Sequence, residues 1–180
     1  MDMDHTICLH VPGQIQFTQM VEDFTRSICL HFFSGASAHH ENLCMVMNEV
    51  FTNVVKHSAA LESDELVQIR MRINPGTLKI SVLDHGPGIM VKNQRPPYNK
   101  ALIGHSEPFR KVLDGTVYLT VTSPDQLIFT FEDQTLVRDL HQFNGHGFGL
   151  SIITKIMDHL SYSALGNGQF TWEMVKKIEP

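Results

Sequence analysis

Long apolar runs, cysteine and positive charge are all scarce in this sequence, and each scarcity excludes a class of protein. No apolar run approaches the roughly 20 residues that span a bilayer, so no membrane partner is expected. The acidic start, residues 1–4, does not resemble a cleaved secretory signal. The three cysteines (Cys8, Cys29 and Cys44) lack C-x-x-C spacing, which predicts reduced thiols in a cytoplasmic protein. A net charge of −5 argues against nucleic acid as the direct ligand.

The remaining composition is that of a globular protein. Hydrophobic residues make up 42% and charged residues 18% of the 180 positions, which is enough apolar material for one sizeable core. We therefore expect a single domain over residues 1–180.

The most informative stretch is a predicted helix from about residue 38 to 57. Six apolar residues spaced three and four apart form its buried stripe: Leu43, Val46, Met47, Val50, Phe51 and Val54. Glu49, Asn53 and His57 are spaced four apart and form a second stripe beside it. The helix can thus present a base and a metal ligand to a neighbouring pocket, although an amphipathic helix with a polar border has the same pattern.

Period-two patterns predict the strands. A strand over 6–11 and a helix over 14–33 precede the central helix, and a hairpin over 67–82 follows it. Asp84 shares the parity of Leu78, Ile80 and Val82, so its carboxylate is expected to face the buried side. Because a buried carboxylate is costly unless it is hydrogen-bonded, Asp84 is a candidate to accept a hydrogen bond from a ligand.

Two glycine clusters follow. Asp84-His85-Gly86-Pro87-Gly88-Ile89 permits a sharp bend close to a flat ligand. Asn144-Gly145-His146-Gly147-Phe148-Gly149-Leu150 runs into a helix that we expect to reach Leu160, and glycines at a helix start expose N–H groups to phosphate. The second cluster is not a Walker A loop, because no Lys-Ser/Thr pair follows it.

Between these clusters, residues 90–114 read as a mobile, irregular lid, and 116–122 and 127–132 read as a second hairpin. Lid and inserted hairpin together occupy 90–144. Strands over 161–165 and 169–176 close the chain around Gly166-Asn167-Gly168.

In this order, E-x-x-x-N-x-x-x-H, D-x-G-x-G-I and G-x-G-x-G-L resemble the GHKL ATPase superfamily over about residues 40–175. The form N-E-V-F-T-N-V-V-K-H and the small size resemble the bacterial anti-sigma-factor serine/threonine kinases most. The resemblance implies a two-layer α+β sandwich: a mixed, mostly antiparallel sheet with helices on one face, plus the extra hairpin. That hairpin can be an added sheet edge, a docking arm or a cover over the site.

The resemblance also implies roles for individual residues. Glu49 matches the general base, and Asn53 matches the ligand of Mg²⁺. Asp84 matches the aspartate that binds the adenine of ATP, and Thr171 matches a hydroxyl near adenine. The remaining nucleotide-binding positions are Gly86, Gly88, Ile89, Gly145, Gly147, Gly149 and Leu150. A basic residue such as Lys100, Arg110 or Lys111 is a candidate to reach the gamma-phosphate.

The implied function is that of a homodimeric, ATP-dependent serine/threonine kinase. It would phosphorylate an anti-sigma-factor antagonist and sequester a sigma factor. Two alternatives stay open: a nucleotide-binding partner-switching module with little or no transfer, and the detached ATP-binding domain of a two-component system.

Overall fold

The computed structural model describes residues 4–33, 37–57, 66–134 and 149–178. Eight strands and three α-helices account for most of them. The strands are β1 His5–Pro12, β2 Leu66–Asn74, β3 Thr77–Asp84, β4 Ser106–Val112, β5 Gly115–Ser123, β6 Gln126–Asp133, β7 His159–Gly166 and β8 Gln169–Lys177. The helices are α1 Thr18–Phe32, α2 Ser37–His57 and α3 Gly149–Ile156.

All eight strands form one sheet in the order β1-β2-β3-β8-β7-β6-β5-β4. Every neighbouring pair is antiparallel, so the sheet is purely antiparallel where a mixed, mostly antiparallel one was predicted. Four of the seven pairs are hairpins of consecutive strands, and short hairpin connections require antiparallel neighbours.

The helices form a second layer on one face of the sheet, as predicted for a two-layer α+β sandwich. Cross-strand partners such as Met71 and Ile80, or Leu160 and Met174, point to this inner face and are buried. The whole predicted apolar stripe of α2, from Leu43 to Val54, is buried against them. Burying one such aliphatic side chain contributes roughly 1.5–3 kcal/mol, so this inner face is the main source of stability.

Both predicted hairpins are confirmed, as β2–β3 and β5–β6. The second hairpin is an added sheet edge, because β6 pairs with β7 and β4 lies outermost. Asp84 is the last residue of β3 and is 6% exposed, which confirms that its carboxylate faces the buried side.

Two predictions were wrong in their bounds. Residues 106–112 were read as part of an irregular lid, but they form β4. Pro108 argued against a strand at this position, because proline cannot donate a hydrogen bond to a neighbouring strand. An edge strand tolerates the proline here because the register shifts between Pro108 and Arg110. The last helix ends at Ile156 rather than reaching Leu160, which instead lies in β7. The spacing of apolar residues continues from α3 into β7, so the sequence does not indicate where the helix ends.

The rest of the lid, up to residue 105, is anchored to the core. Val91 is fully buried and Tyr98 is 3% exposed, with its hydroxyl donating to the Ile89 carbonyl at 2.7 Å. No helix in the described part of the chain is long and apolar enough to cross a membrane.

Candidate functional site

A cavity of about 300 Å³ opens between α2, the start of α3 and the ends of several strands. Its walls come from six separate parts of the chain, which only the folded sheet brings together. The lining residues are Asn53, His57, Asp84, Gly86, Pro87, Gly88, Ile89, Phe109, Arg110, Gly149, Leu150, Tyr162 and Trp172.

Asp84 is the buried carboxylate of this cavity. Its Oδ1 accepts a hydrogen bond from the Gly86 N–H at 2.8 Å, and its Oδ2 accepts one from the Tyr162 hydroxyl at 3.3 Å. Burial, together with the neighbouring Asp84 charge, raises the pKa of Tyr162, so this phenol stays a donor. Each carboxylate oxygen has two lone pairs, which leaves Asp84 able to accept a further hydrogen bond from a ligand.

Aromatic side chains form one side of the cavity. Tyr162 stacks on Phe170 with ring centroids 5.2 Å apart and an interplanar angle of 8°, and it contacts Trp172 at 4.6 Å. Trp172 in turn contacts Phe129, against whose ring Phe109 packs edge-on at 5.6 Å. Flat, apolar surfaces of this kind suit a planar ring, because stacked or tilted aromatic contacts stabilise it beyond area burial alone.

The turn after β3 fits closely under this wall. Gly88 has φ +79°, and a Cβ there would lie 2.7 Å from the ring of Phe170. A Cβ on Gly86 would lie 3.0 Å from Asp84 Oδ1 and 3.2 Å from the carbonyl oxygen of His57. Gly88 is therefore required for both conformation and space, whereas a side chain at residue 86 would have to displace its neighbours by a few tenths of an ångström.

The polar end of the cavity lies where α2 meets α3. A Cβ on Gly149, the first residue of α3, would overlap Glu49 Oε2 and would lie 3.4 Å from Asn53 Nδ2. The half-buried Glu49 and Asn53 thus converge with Gly149, as their spacing of four residues along α2 predicts.

A bulge in β4 supplies the remaining wall. Pro108 pairs with Tyr118 and Arg110 with Val117, so Phe109 is the unpaired extra residue between them. Bulges re-aim side chains, and here two successive residues, Phe109 and Arg110, both line the cavity. The strand is tied to the helix layer by the ion pair between Lys155 of α3 and Asp114, which lies in the turn that follows β4.

The structure brings together most of the residues predicted from the sequence. Those that line the cavity are Asn53, Asp84, Gly86, Gly88, Ile89, Gly149 and Leu150, with Glu49 adjacent. Gly145 and Gly147 lie outside the described residues. Of the three basic candidates, Arg110 lines the cavity, whereas Lys100 and Lys111 do not.

Thr171 is not brought to the cavity. It pairs with Leu83 and Ser163, whereas its neighbours Phe170 and Trp172 pair with Asp84 and Val82. Since alternate residues of a strand face opposite sides, Thr171 lies on the other face of the sheet from Asp84.

Sequence reasoning missed the aromatic wall. Tyr162, Trp172 and Phe109 belong to three strands far apart in sequence, and no local motif marks them. The parity of β8 was a usable signal, because Phe170, Trp172 and Met174 alternate as the inner face and so exclude Thr171.

Comparison with known proteins identifies the family. A family described as the histidine kinase-like ATPase domain matches residues 16–176, nearly the whole chain. The chain belongs to this family. None of the curated proteins matches the ATPase domain in sequence. Among solved structures, a chain of the SiaB-SiaC complex from Pseudomonas aeruginosa is similar to it, with a TM-score of 0.48 and 12% identity over 94% of this chain and 88% of that one.

Family membership implies ATP binding, and the chemistry of the ATPase domain's cavity fits it. A buried acceptor beside aromatic rings suits a base that carries an amino group, and Arg110 suits a phosphate. For Mg²⁺ the fit is through the Asn53 carboxamide. The described residues include no cluster of three or more His, Cys, Asp or Glu that could hold a metal ion.

Proposed function

We propose that the cavity binds ATP with the adenine toward Asp84 and the phosphates toward Arg110 and the start of α3. The observation that carries this proposal is the Asp84 carboxylate, which is buried at the apolar end of the cavity and keeps unused acceptor capacity. Burying a charge is costly, and a ligand N–H that completes its hydrogen bonds recovers part of that cost. The cavity offers aromatic surface to a flat ring and the positive charge of Arg110 to an anionic group, which suits a ligand with one flat and one anionic end.

The polar end would serve the phosphates. Asn53 would hold Mg²⁺, whose role when bound is to neutralise phosphate charge. Arg110 would add a fixed positive charge from β4, and a guanidinium can donate two parallel hydrogen bonds to a phosphate. Positioning and charge neutralisation of this kind supply most of the catalysis in phosphoryl transfer.

We further propose that the chain transfers the gamma-phosphoryl group of ATP to a serine or threonine hydroxyl of a partner protein. Glu49 would take the proton from that hydroxyl, whose oxygen then bonds to phosphorus while ADP leaves. The support is the convergence of Glu49 and Asn53 on Gly149, which places a carboxylate beside the metal ligand at the polar end.

On the biological level, we propose that the acceptor is an anti-sigma-factor antagonist and that a sigma factor is the other partner, bound by a homodimer. This step rests on the likeness of the motif around Glu49 and Asn53 to the anti-sigma-factor kinases.

Calorimetry with ATP, with and without Mg²⁺, tests the binding proposal. Asp84→Asn should weaken ATP binding about 10- to 100-fold, because it replaces a charged acceptor with an amide. Asn53→Ala should remove the dependence on Mg²⁺, whereas Glu49→Ala should leave the affinity close to that of the wild type. The wild type failing to bind ATP, or Asp84→Asn binding it equally well, would overturn the assignment.

Transfer is tested separately, with gamma-labelled ATP and antagonist proteins from the source organism. An acid-stable product that requires Glu49 supports a serine/threonine kinase. Binding without transfer identifies a partner-switching module instead, and an acid-labile product identifies the ATP-binding domain of a two-component system.

A further inference from the structure

The outer face of the sheet, opposite the helices, carries a cluster of cations that the proposed ATP site does not use. Arg70, Arg72, Lys79, Ser81 and Glu173 line a concavity of about 160 Å³ on strands β2, β3 and β8. In the register of the sheet, Arg70 lies opposite Ser81, and Ser81 lies opposite Glu173, so these side chains share one face. We call this group the outer cluster.

The outer cluster breaks a rule of sheet pairing. Arg72 and Lys79 lie directly opposite each other on adjacent strands, where like charges repel. Glu173 forms an ion pair with Lys79 at 2.7 Å. Among the described residues, no carboxylate forms an ion pair with Arg70 or Arg72.

The net charge of the chain makes this excess of cations in the outer cluster unexpected. The chain as a whole has a net charge of −5, yet the outer cluster holds three cations against one carboxylate. An acidic protein has carboxylates to place opposite its arginines, yet the one carboxylate of the outer cluster pairs with Lys79 and not with Arg70 or Arg72. The positive charge left in excess on the two arginines marks the outer cluster as a functional candidate.

We propose that the outer cluster is a second anion site, which takes a phosphoryl group. Arg70 and Arg72 are two residues apart on one strand, so their stems stand about 7 Å apart and their guanidinium groups can converge on one tetrahedral anion. Lys79 adds a point charge and the Ser81 hydroxyl a neutral donor. Bound phosphate would relieve the repulsion between Arg72 and Lys79.

This site is separate from the ATP cavity. Asp84 and Arg110 lie on the inner face, whereas Arg70, Arg72 and Ser81 lie on the outer face of the same sheet. Loss of one site therefore leaves the other in place, and the proposal does not depend on the proposed function.

The test measures the rise in melting temperature of the full chain as inorganic phosphate replaces chloride at constant ionic strength. For the wild type we expect a saturable rise, because a ligand of the folded state stabilises it. The Arg72→Gln variant should differ from the wild type in opposite directions in its melting temperature without phosphate and in the rise that phosphate causes. Without phosphate it should melt at a higher temperature than the wild type, since the repulsion of Lys79 is gone. With phosphate it should gain less, because the affinity is about tenfold weaker.

Two control variants locate the effect. Lys111→Gln removes a positive charge from β4, outside the outer cluster, and should respond to phosphate as the wild type does. Arg110→Gln alters the ATP cavity alone, so the part of the response that arises in the outer cluster should remain. A phosphate response that disappears in Arg110→Gln but survives in Arg72→Gln would place the anion in the cavity and overturn the proposal. So would the absence of a saturable response in the wild type.

A second arm finds the source of the phosphoryl group. Calorimetry compares inorganic phosphate, a short peptide containing phosphoserine and the same peptide without phosphate. Tighter binding of the phosphopeptide than of phosphate, lost in Arg72→Gln, identifies a phosphorylated side chain as the ligand. Equal or weaker binding identifies free phosphate. Equal binding of the unphosphorylated peptide would refute a phosphoryl site.

Discussion

Replacing Gly149 with alanine tests the proposed role of Glu49, because the new methyl group would occupy the place of its carboxylate. A Cβ at residue 149 overlaps Glu49 Oε2 and lies 3.1 Å from Glu49 Cδ. Gly149 is the first residue of α3, and alanine favours a helix by up to about 1 kcal/mol over glycine. The fold should therefore survive, and the flexible carboxylate should move instead.

The size of the effect follows from that displacement. The carboxylate must retreat by about 1 Å to restore ordinary van der Waals separation, and a misplacement of that size costs about 100-fold in rate. This corresponds to about 2.7 kcal/mol of activation free energy. The affinity for ATP should change little, because the Cβ lies 3.4 Å from Asn53 Nδ2, an ordinary contact, and none of its three nearest atoms belongs to Asp84.

The assay is a double-mutant cycle on the rate of phosphoryl transfer, with the affinity for ATP measured in parallel. If Gly149→Ala acts by moving the base, it should slow the wild type but add less than about threefold on a Glu49→Gln background. Gly104→Ala is the matched control. Gly104 has φ +86° and no atom within 4 Å of a Cβ, so this variant adds backbone strain without touching the site.

Two results would refute the reasoning. Transfer at the wild-type rate in Gly149→Ala would show that Glu49 need not hold its position, and so is not the base. Independent, additive losses in the cycle would show that the methyl group acts on something other than Glu49.

Two further predictions concern β4 and pH. Arg110→Gln should weaken the binding of ATP about tenfold and leave the binding of adenosine nearly unchanged, because Arg110 is assigned to the phosphates. Calorimetry with both ligands measures the two affinities. An equal loss for both ligands would contradict the assignment. The pKa of Asp158 is lowered, mainly by the hydrogen bond from the Lys177 N–H at 2.6 Å, so its stabilising effect is present above about pH 4 and is lost as the pH falls through the lowered pKa. Asp158→Asn should therefore unfold more easily in urea at pH 7, by at most about 1 kcal/mol after solvent screening, and this difference should shrink as the pH falls through the lowered pKa. A difference that stays constant below about pH 4 would rule out the charge as its cause.

The helices and hairpins were predictable because their apolar residues recur at the spacing typical of each element. The stripe from Leu43 to Val54 repeats every three to four residues, and β2 and β3 alternate strictly, so local sequence fixes which face is buried. The same parity argument placed Asp84 correctly. Applied to β8, it would have excluded Thr171, which alternates with Phe170 and Trp172.

Other features depend on contacts that no local pattern records. β4 contains a proline and five exposed positions out of seven, so it lacks the alternation by which strands are recognised. Phe109 and Arg110 enter the site only because a bulge turns both toward it. Tyr162 reaches Asp84 only after β7 and β3 have been brought to either side of β8.

The inserted hairpin belongs to the core and to the cavity at once. Val117, Leu119 and Val121 of β5 and Leu127 of β6 are fully buried, and together they contribute roughly 6–12 kcal/mol, which is comparable to the stability of a whole domain. The hairpin is therefore not a detachable arm. Because it holds β4 in the sheet, the same burial that stabilises the fold also fixes Arg110 at the mouth of the cavity. A change of sequence in the hairpin core should thus alter nucleotide binding and stability together, which separates this chain from one whose cavity is covered by a loop alone.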